Sequence, residues 1–375
     1  MIDLNGYLIV GGCAAVVTAA TTPVVAIVAR RQGWMAEPDE RRSHPVATPD
    51  VGGIAFFVGL LASLLLASQM DRFSELFEKN SELLGVLIAA LVIFVLGIFD
   101  DIREVSAPMK VTGVVVAALV LVAFGVTMFY FRAPFLDVFI LPNDWIPLIT
   151  VFWLLGMTQS INLIDGLDGL AGGIVAIAAG SFFVYSKHLA DVGKLSPPNI
   201  GPLIAIITLG ICIGFLPFNF NPARIFMGDS GALMLGLLMA VSTSVVGGRA
   251  DQQTKEFSGQ TYFFIAPLLI PLLFLGVPII DVIFAIFRRT LSGEGLATAD
   301  RGHLHHRLIA LGHGPRRAVV ILWLWTGLFS AFALYPALTN KNPNLWLVLL
   351  VAVLLIGFTI YHPRLVRHRE SASAE

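Results

Sequence analysis

Leu84-Gly85-Val86-Leu87-Ile88-Ala89-Ala90-Leu91-Val92-Ile93-Phe94-Val95-Leu96-Gly97-Ile98-Phe99 carries no polar side chain, and it ends on two carboxylates, Asp100-Asp101. An unbroken apolar block of this kind reads as a helix placed where there is no water to satisfy its backbone. A membrane barrel would instead show short segments alternating apolar and polar residues. The acidic pair marks the point at which the helix reaches an interface, because a carboxylate at mid-bilayer costs about 2.5–3.5 kcal/mol.

The rest of the chain repeats the pattern. Of its 375 residues 57% are hydrophobic and 13% charged, against about 25% charged in a soluble domain. We count about eleven apolar spans, at 6–29, 51–70, 84–99, 111–130, 146–161, 169–186, 200–216, 231–247, 262–287, 318–337 and 345–361. The expectation is an all-α polytopic membrane protein, with one integral domain over 1–361 and a basic, then disordered, tail over 362–375. The first span has no basic stretch before it and no small-residue cleavage site after it, so it reads as a retained helix. Cys13 and Cys212 both lie inside spans, which gives no case for a disulfide framework or a thiolate metal site. The net charge of −1 singles out no partner, nucleic acid included.

Orientation follows from the basic residues. Lys and Arg in the odd-numbered loops and the C-terminal tail outnumber those in the even loops two to one. Positive charge stays inside, so the N-terminus is expected outside and the C-terminus in the cytoplasm. Arg30, Arg31, Arg41 and Arg42, just after the first span, point the same way.

The unusual polar residues sit almost entirely in the odd loops. Asp100 and Asp101 point about 100° apart on a helix, so they suit two different partners; a solvated helix stop is the plain alternative. Asn162, Asp165 and Asp168 are spaced by three and would form one stripe on a continuing helix. Gly166 and Gly169 either let a ligand approach closely or break that helix into a loop. Phe226-Met227-Gly228-Asp229-Ser230-Gly231 opens a span, where backbone N–H groups bind anions and a carboxylate can bring a metal to a phosphate. Asp229 or Ser230 acting only as an N-cap is the competing reading. His303, His305, His306 and Arg307 lie in a loop that also carries Arg301, Arg316 and Arg317. Imidazoles beside guanidinium groups suit phosphate oxygens; zinc or a solvated basic loop are the alternatives. Carboxylates for a hard cation, cationic donors for phosphates and an apolar setting together suggest phosphoryl transfer to or from a lipid-borne substrate. A transporter should place ionisable residues at mid-membrane on both halves of a repeat; here they crowd one face and no repeat is visible. A scaffold would not need the acidic clusters.

With these motifs in hand the chain resembles the polyprenyl-phosphate N-acetylhexosamine-1-phosphate transferase family, which is related to the phospho-MurNAc-pentapeptide translocase. The likeness includes Pro38-Asp39-Glu40-Arg41-Arg42-Ser43-His44, Pro49, Gly52-Gly53 and the four clusters above, in family order to about residue 310. It departs at Ala36, where an Asp is common, and at Val114, where a Gln follows Lys110.

The resemblance implies transfer of N-acetylhexosamine 1-phosphate, with GlcNAc 1-phosphate the default, from a UDP-sugar to undecaprenyl or another polyprenyl phosphate. UMP is released, as the first membrane step of an envelope polysaccharide such as lipopolysaccharide or teichoic acid. A different UDP-N-acetyl(deoxy)sugar is the alternative donor. It further implies a Mg2+ cofactor, with Mn2+ a substitute, and a multi-pass protein of the bacterial plasma membrane whose site faces the cytoplasm; it allows a homodimer. By motif, Asp100, Asp101 and Asp229 would be catalytic, with Asp229 and Asp100 at the metal. Asn162, Asp165, Asp168 and Phe226 would line the nucleotide, and Lys110, His303, His305, His306 and Arg307 would meet phosphate or sugar.

Overall fold

The computed structural model describes residues 2–36, 46–78, 81–127, 130–132, 138–140, 142–247, 275–277, 279, 304–339 and 345–372. They are mostly helical. In order come α1 (Leu4–Gln32), α2 (Gly53–Ser68), a 3-10 turn (Asp71–Phe73), α3 (Ser74–Glu78), α4 (Glu82–Arg103) and α5 (Ala107–Ala123). Then follow α6 (Trp145–Ile164), α7 (Leu170–Asp191), α8 (Gly201–Asn219), α9 (Gly228–Gly247), α10 (Leu304–Ala310), α11 (Pro315–Thr339) and α12 (Leu345–Ala372). Among the described residues seven helices are long and apolar enough to cross a membrane: α1, α4, α6, α7, α8, α9 and α11. A helix stands at each expected span except the ninth, 262–287, which lies mostly outside the described residues.

Several boundaries differ from the sequence reading. The helices at the third and fifth spans extend past their apolar windows, so Asp100 lies on a helical last turn, as expected of a pair that closes a helix, and Asn162 lies on another rather than in a loop. The second span bends by 95° after Ser68. Its continuation is held down by Phe73, fully buried edge-on against Tyr7 at 5.4 Å, and by Arg72, paired with the Asp3 carboxylate at 2.7 Å. The fourth span was expected to reach 130, but α5 stops at Ala123. Gly125 turns there with φ +84°, and an antiparallel hairpin follows, β3 (Tyr130–Arg132) on β4 (Val138–Ile140). A second short hairpin, β1 (Met35–Ala36) on β2 (Thr48–Pro49), spans the first loop. Helix α12 runs on through the basic tail to Ala372.

Helix α9 is the axis of the bundle. It packs against α2, α4, α6, α7 and α8, and 94% of its apolar window is buried, against 33% for α1. A helix surrounded by protein in a bilayer must settle its own hydroxyls. Ser242 and Thr243 donate to the carbonyls of Leu238 and Met239 at 2.8 Å, and Trp153 of α6 reaches Thr243 at 2.9 Å. The consequence for the site is that the N-terminus of α9, carrying Asp229, is held from all sides.

Candidate active site

The N-terminus of α9 is clamped between two other helix ends. On one side the chain entering α2 zips onto it: Phe226 N–H donates to Pro49 O at 2.8 Å, Gly52 N–H to Phe226 O at 3.0 Å and Gly53 N–H to Met227 O at 2.9 Å. That gives the Pro49 and Gly52-Gly53 motif a backbone role. On the other side stands the last turn of α4. Gly97 lies so close to Ser230 that an added Cβ would sit 2.6 Å from its backbone nitrogen. One turn on, Asp101 accepts from Asp229 N–H at 2.6 Å, Ser230 N–H at 3.3 Å and Ser230 Oγ at 2.5 Å. The α9 cap is therefore a carboxylate from another helix, not Asp229 or Ser230. These N–H groups are occupied by Asp101, so the anion site expected at this helix start is filled by a side chain of the protein itself.

The Asp229 side chain is left to face elsewhere. Its Oδ2 is 2.6 Å from Lys110 Nζ of α5, and the Asp100 carboxylate and the Asn162 amide stand beside it. Asp100, 7% exposed, pairs with the same Lys110 through Oδ2 and accepts Val105 N–H at 2.6 Å through Oδ1. Residues from α4, α5, α6 and α9 thus meet at one point. Two carboxylates converge on one cationic nitrogen, with an amide alongside.

The α6–α7 junction is a loop. Helix α6 ends at Ile164, and Gly169 at φ +76° starts α7, so Asn162, Asp165 and Asp168 do not form a stripe on one continuing helix. Asn162 turns to Asp229, whereas Asp168 accepts from Asn221 Nδ2 at 2.9 Å and Ala223 N–H at 3.0 Å. Buried Asn219 staples the same two loops, accepting Gly169 N–H and donating to Ile225 O, both at 3.0 Å. Arg316, at the start of α11, donates to the Asn221 backbone and side-chain oxygens at 3.0 and 3.1 Å. Trp323 donates to Leu170 O at 3.3 Å. Sequence reasoning assigned no role to Asn219 and gave Arg316 to phosphate. Asn219 carried a signal, an amide at the inner end of an apolar span; Trp323, one aromatic among many, carried none.

His303 lies outside the described residues, as do the side chains of His305 and His306. Arg307, on α10, is exposed and lines an apolar slot of about 300 Å³ with Leu308, Leu311, Ile321, Trp325 and Phe329.

Among the described residues no three His, Cys, Asp or Glu side chains gather to hold a metal unaided. Mg2+ does not need that, since it takes one or two carboxylates plus substrate phosphates and keeps several waters. Asp100 and Asp229, already converging on a cation, fit such a site.

A bundle of spanning helices with paired carboxylates and a lysine at one set of helix ends defines a multi-pass membrane protein with an acidic polar centre. Residues 83–247 match the model of glycosyl transferase family 4. The chain is 34% identical to the decaprenyl-phosphate N-acetylglucosaminephosphotransferase of Mycobacterium leprae, over 99% of this chain and 93% of that one. It is 35% identical to the probable undecaprenyl-phosphate N-acetylglucosaminyl 1-phosphate transferase of Bacillus subtilis, over 90% of this chain and 86% of the relative. The phospho-N-acetylmuramoyl-pentapeptide-transferase of Desulfitobacterium hafniense is 28% identical over 80% of this chain and 88% of its own length. The chain belongs to the polyprenyl-phosphate N-acetylhexosamine-1-phosphate transferase family, within glycosyl transferase family 4.

Proposed function

We propose that the protein transfers GlcNAc 1-phosphate from UDP-GlcNAc to a polyprenyl phosphate and releases UMP. An oxygen of the lipid phosphate attacks the β-phosphorus of the UDP-sugar. The bond from that phosphorus to the bridging oxygen breaks, and the bridging oxygen leaves with UMP. A lipid pyrophosphoryl sugar remains. The reaction needs positioning and charge neutralisation more than covalent help from the protein. The observation that carries this reading is the convergence of Asp100 and Asp229 on Lys110.

Asp229 and Asp100 would hold Mg2+, which when bound supplies positive charge to the pyrophosphate. Lys110 adds a second cation that can follow the phosphate oxygens. Asn162, beside Asp229, belongs to the phosphate end of the site. Asp165, Asp168 and Phe226 line the nucleotide, on loops braced by Asn219 and Arg316. His303, His305, His306 and Arg307 are assigned to pyrophosphate or sugar by motif. Asp101 joins the centre through the turn that carries Asp229.

The proposal extends to eleven spans in a bacterial plasma membrane, N-terminus out and C-terminus in, with the site facing the cytoplasm where UDP-sugars are. One transferase domain covers 1–361, followed by the tail 362–375; a homodimer is compatible with it. The test is release of UMP by purified protein in detergent from UDP-GlcNAc and undecaprenyl phosphate. Release only from another UDP-N-acetylsugar would change the donor, and no release from any donor would favour a transporter.

A further inference from the structure

The Asp100-Asp101 pair invites the assumption that both carboxylates serve the reacting phosphates or the metal. We infer instead that Asp101 is a positioning residue: it is the N-terminal cap of α9 and aims the Asp229 carboxylate, without touching substrate or cation. This rests on the function proposed above only for what Asp229 does; the capping geometry is independent of it.

Both oxygens of Asp101 are spent on the first turn of α9, one on Asp229 N–H and the other on Ser230 N–H and Oγ. A helix start leaves such N–H groups without intrahelical partners, and in a dry interior each needs an acceptor. The positive end of the helix favours that acceptor being charged. Two glycines make the approach possible. Gly97 brings the α4 backbone against Ser230, and Gly228 sits at φ +67° where a Cβ would meet the Asp101 oxygens at 2.6 Å. The bond to Asp229 is to its backbone, so the side chain is free to point the other way, to Lys110, Asp100 and Asn162. Neighbouring residues on α4 thus divide the work: Asp100 faces the polar centre, and Asp101 fixes the helix that delivers the opposing carboxylate.

The two roles make opposite demands on an amide. Asn caps a helix about as well as Asp: its oxygen keeps the Asp229 N–H bond and its NH2 can donate to Ser230 Oγ, which then accepts, so only the long 3.3 Å bond from Ser230 N–H is given up. A metal ligand or a base would not survive that change. The experiment compares Asp101→Asn, Asp101→Ala and Ser230→Ala with wild type in three readouts: kcat for UMP release, Mn2+ affinity by electron paramagnetic resonance without substrate, and metal-free melting by tryptophan fluorescence. Asp101→Asn is expected to keep kcat within about tenfold and to melt and bind Mn2+ like wild type. Asp101→Ala is expected to lose kcat by on the order of 100-fold, the cost of a misplaced reacting group, and to melt lower with weakened Mn2+ binding. Ser230→Ala keeps both N–H donors, so its losses should be smaller than those of Asp101→Ala. Asp101→Asn as inactive as Asp101→Ala, with wild-type melting in both, would overturn the assignment and make the carboxylate chemical. Near-normal kcat in Asp101→Ala would overturn it too. A wild-type protein that turns over no UDP-sugar would sink the proposed reaction and leave the melting and Mn2+ comparisons standing.

Discussion

Lys110 Nζ lies 2.6 Å from Asp229 Oδ2 while pairing with Asp100, so one ammonium holds together carboxylates that arrive on helices more than a hundred residues apart in sequence. Each of the three side chains is at least two-thirds covered. A pair of carboxylates so placed and without a cation would repel in a medium of low polarity. Lys110 therefore both neutralises the paired carboxylates and occupies the oxygens a divalent ion would use.

That competition gives a signed prediction for Lys110→Met. Removing the ammonium while keeping a side chain of similar length should lower kcat by roughly 100-fold, about 2.7 kcal/mol of lost charge stabilisation. The half-saturating Mg2+ concentration should fall rather than rise, because the carboxylates no longer have a resident partner. Steady-state kinetics across a Mg2+ series checks both. A higher Mg2+ requirement would mean that Lys110 helps to build the cation site instead of contesting it.

Asp229→Asn should move the Mg2+ requirement the other way. The substitution keeps shape and hydrogen bonding but removes a charge, so kcat should fall at least ~100-fold with the apparent Mg2+ requirement raised. EDTA should abolish wild-type activity, and Mg2+ or Mn2+ should restore it. Full turnover in metal-free buffer would remove the cation from the scheme altogether.

The orientation can be read by cysteine labelling in a background lacking Cys13 and Cys212. Ser186, placed by its sequence at the end of a span, is buried within α7 and donates to Phe183 O, so it is a poor reporter. Ser196, exposed in the loop before α8, and Ala310, exposed at the end of α10, are accessible. A cysteine at 196 should react with an impermeant thiol reagent on intact cells, and one at 310 only after permeabilisation. The reverse pattern would invert the topology and deny cytoplasmic UDP-sugars a route to the centre.

These sites show what could be read in the chain beforehand. The apolar blocks placed the helices because a bilayer leaves the backbone almost no other option, and Asp100 and Asp229 stood out because carboxylates at the ends of such blocks are costly. The partnership of Asp101 with the α9 backbone was not legible, since it joins residues 128 apart in sequence and an adjacent Asp looks the same in either role. The acidic stripe over Asn162, Asp165 and Asp168 failed for a local reason. Periodicity assumes an unbroken helix, but α6 ends at Ile164 and α7 starts anew from the left-handed Gly169, which sends Asn162 to one cluster and Asp168 to another. The 95° bend after α2 is held by distant partners, Tyr7 against Phe73 and Asp3 against Arg72, which no window of sequence contains.

The loop braces yield the last prediction. Asn219 is 2% exposed, and its amide satisfies Gly169 N–H at the start of α7 and Ile225 O just before α9. Asn219→Ala leaves a buried donor and a buried acceptor unpaired, at about 1–3 kcal/mol each. Part of that will be recovered if water enters from the site. Melting should fall by a few degrees, since the shift is on the order of 2–4 °C per kcal/mol for domains of about 150–250 residues and smaller for longer chains. Asn219 touches neither Asp100 nor Lys110, so the effect on turnover should appear as a raised KM for the UDP-sugar with kcat changed less. Asp168→Asn should show the same split, because one amide oxygen can still accept both N–H donors that a single Asp168 oxygen now holds, while the charge beside the proposed nucleotide site is lost. The measurement is KM and kcat for each variant at saturating Mg2+, with folded yield followed by size exclusion. Equal losses in kcat at unchanged KM would place these loops at the reacting phosphates and move the nucleotide elsewhere.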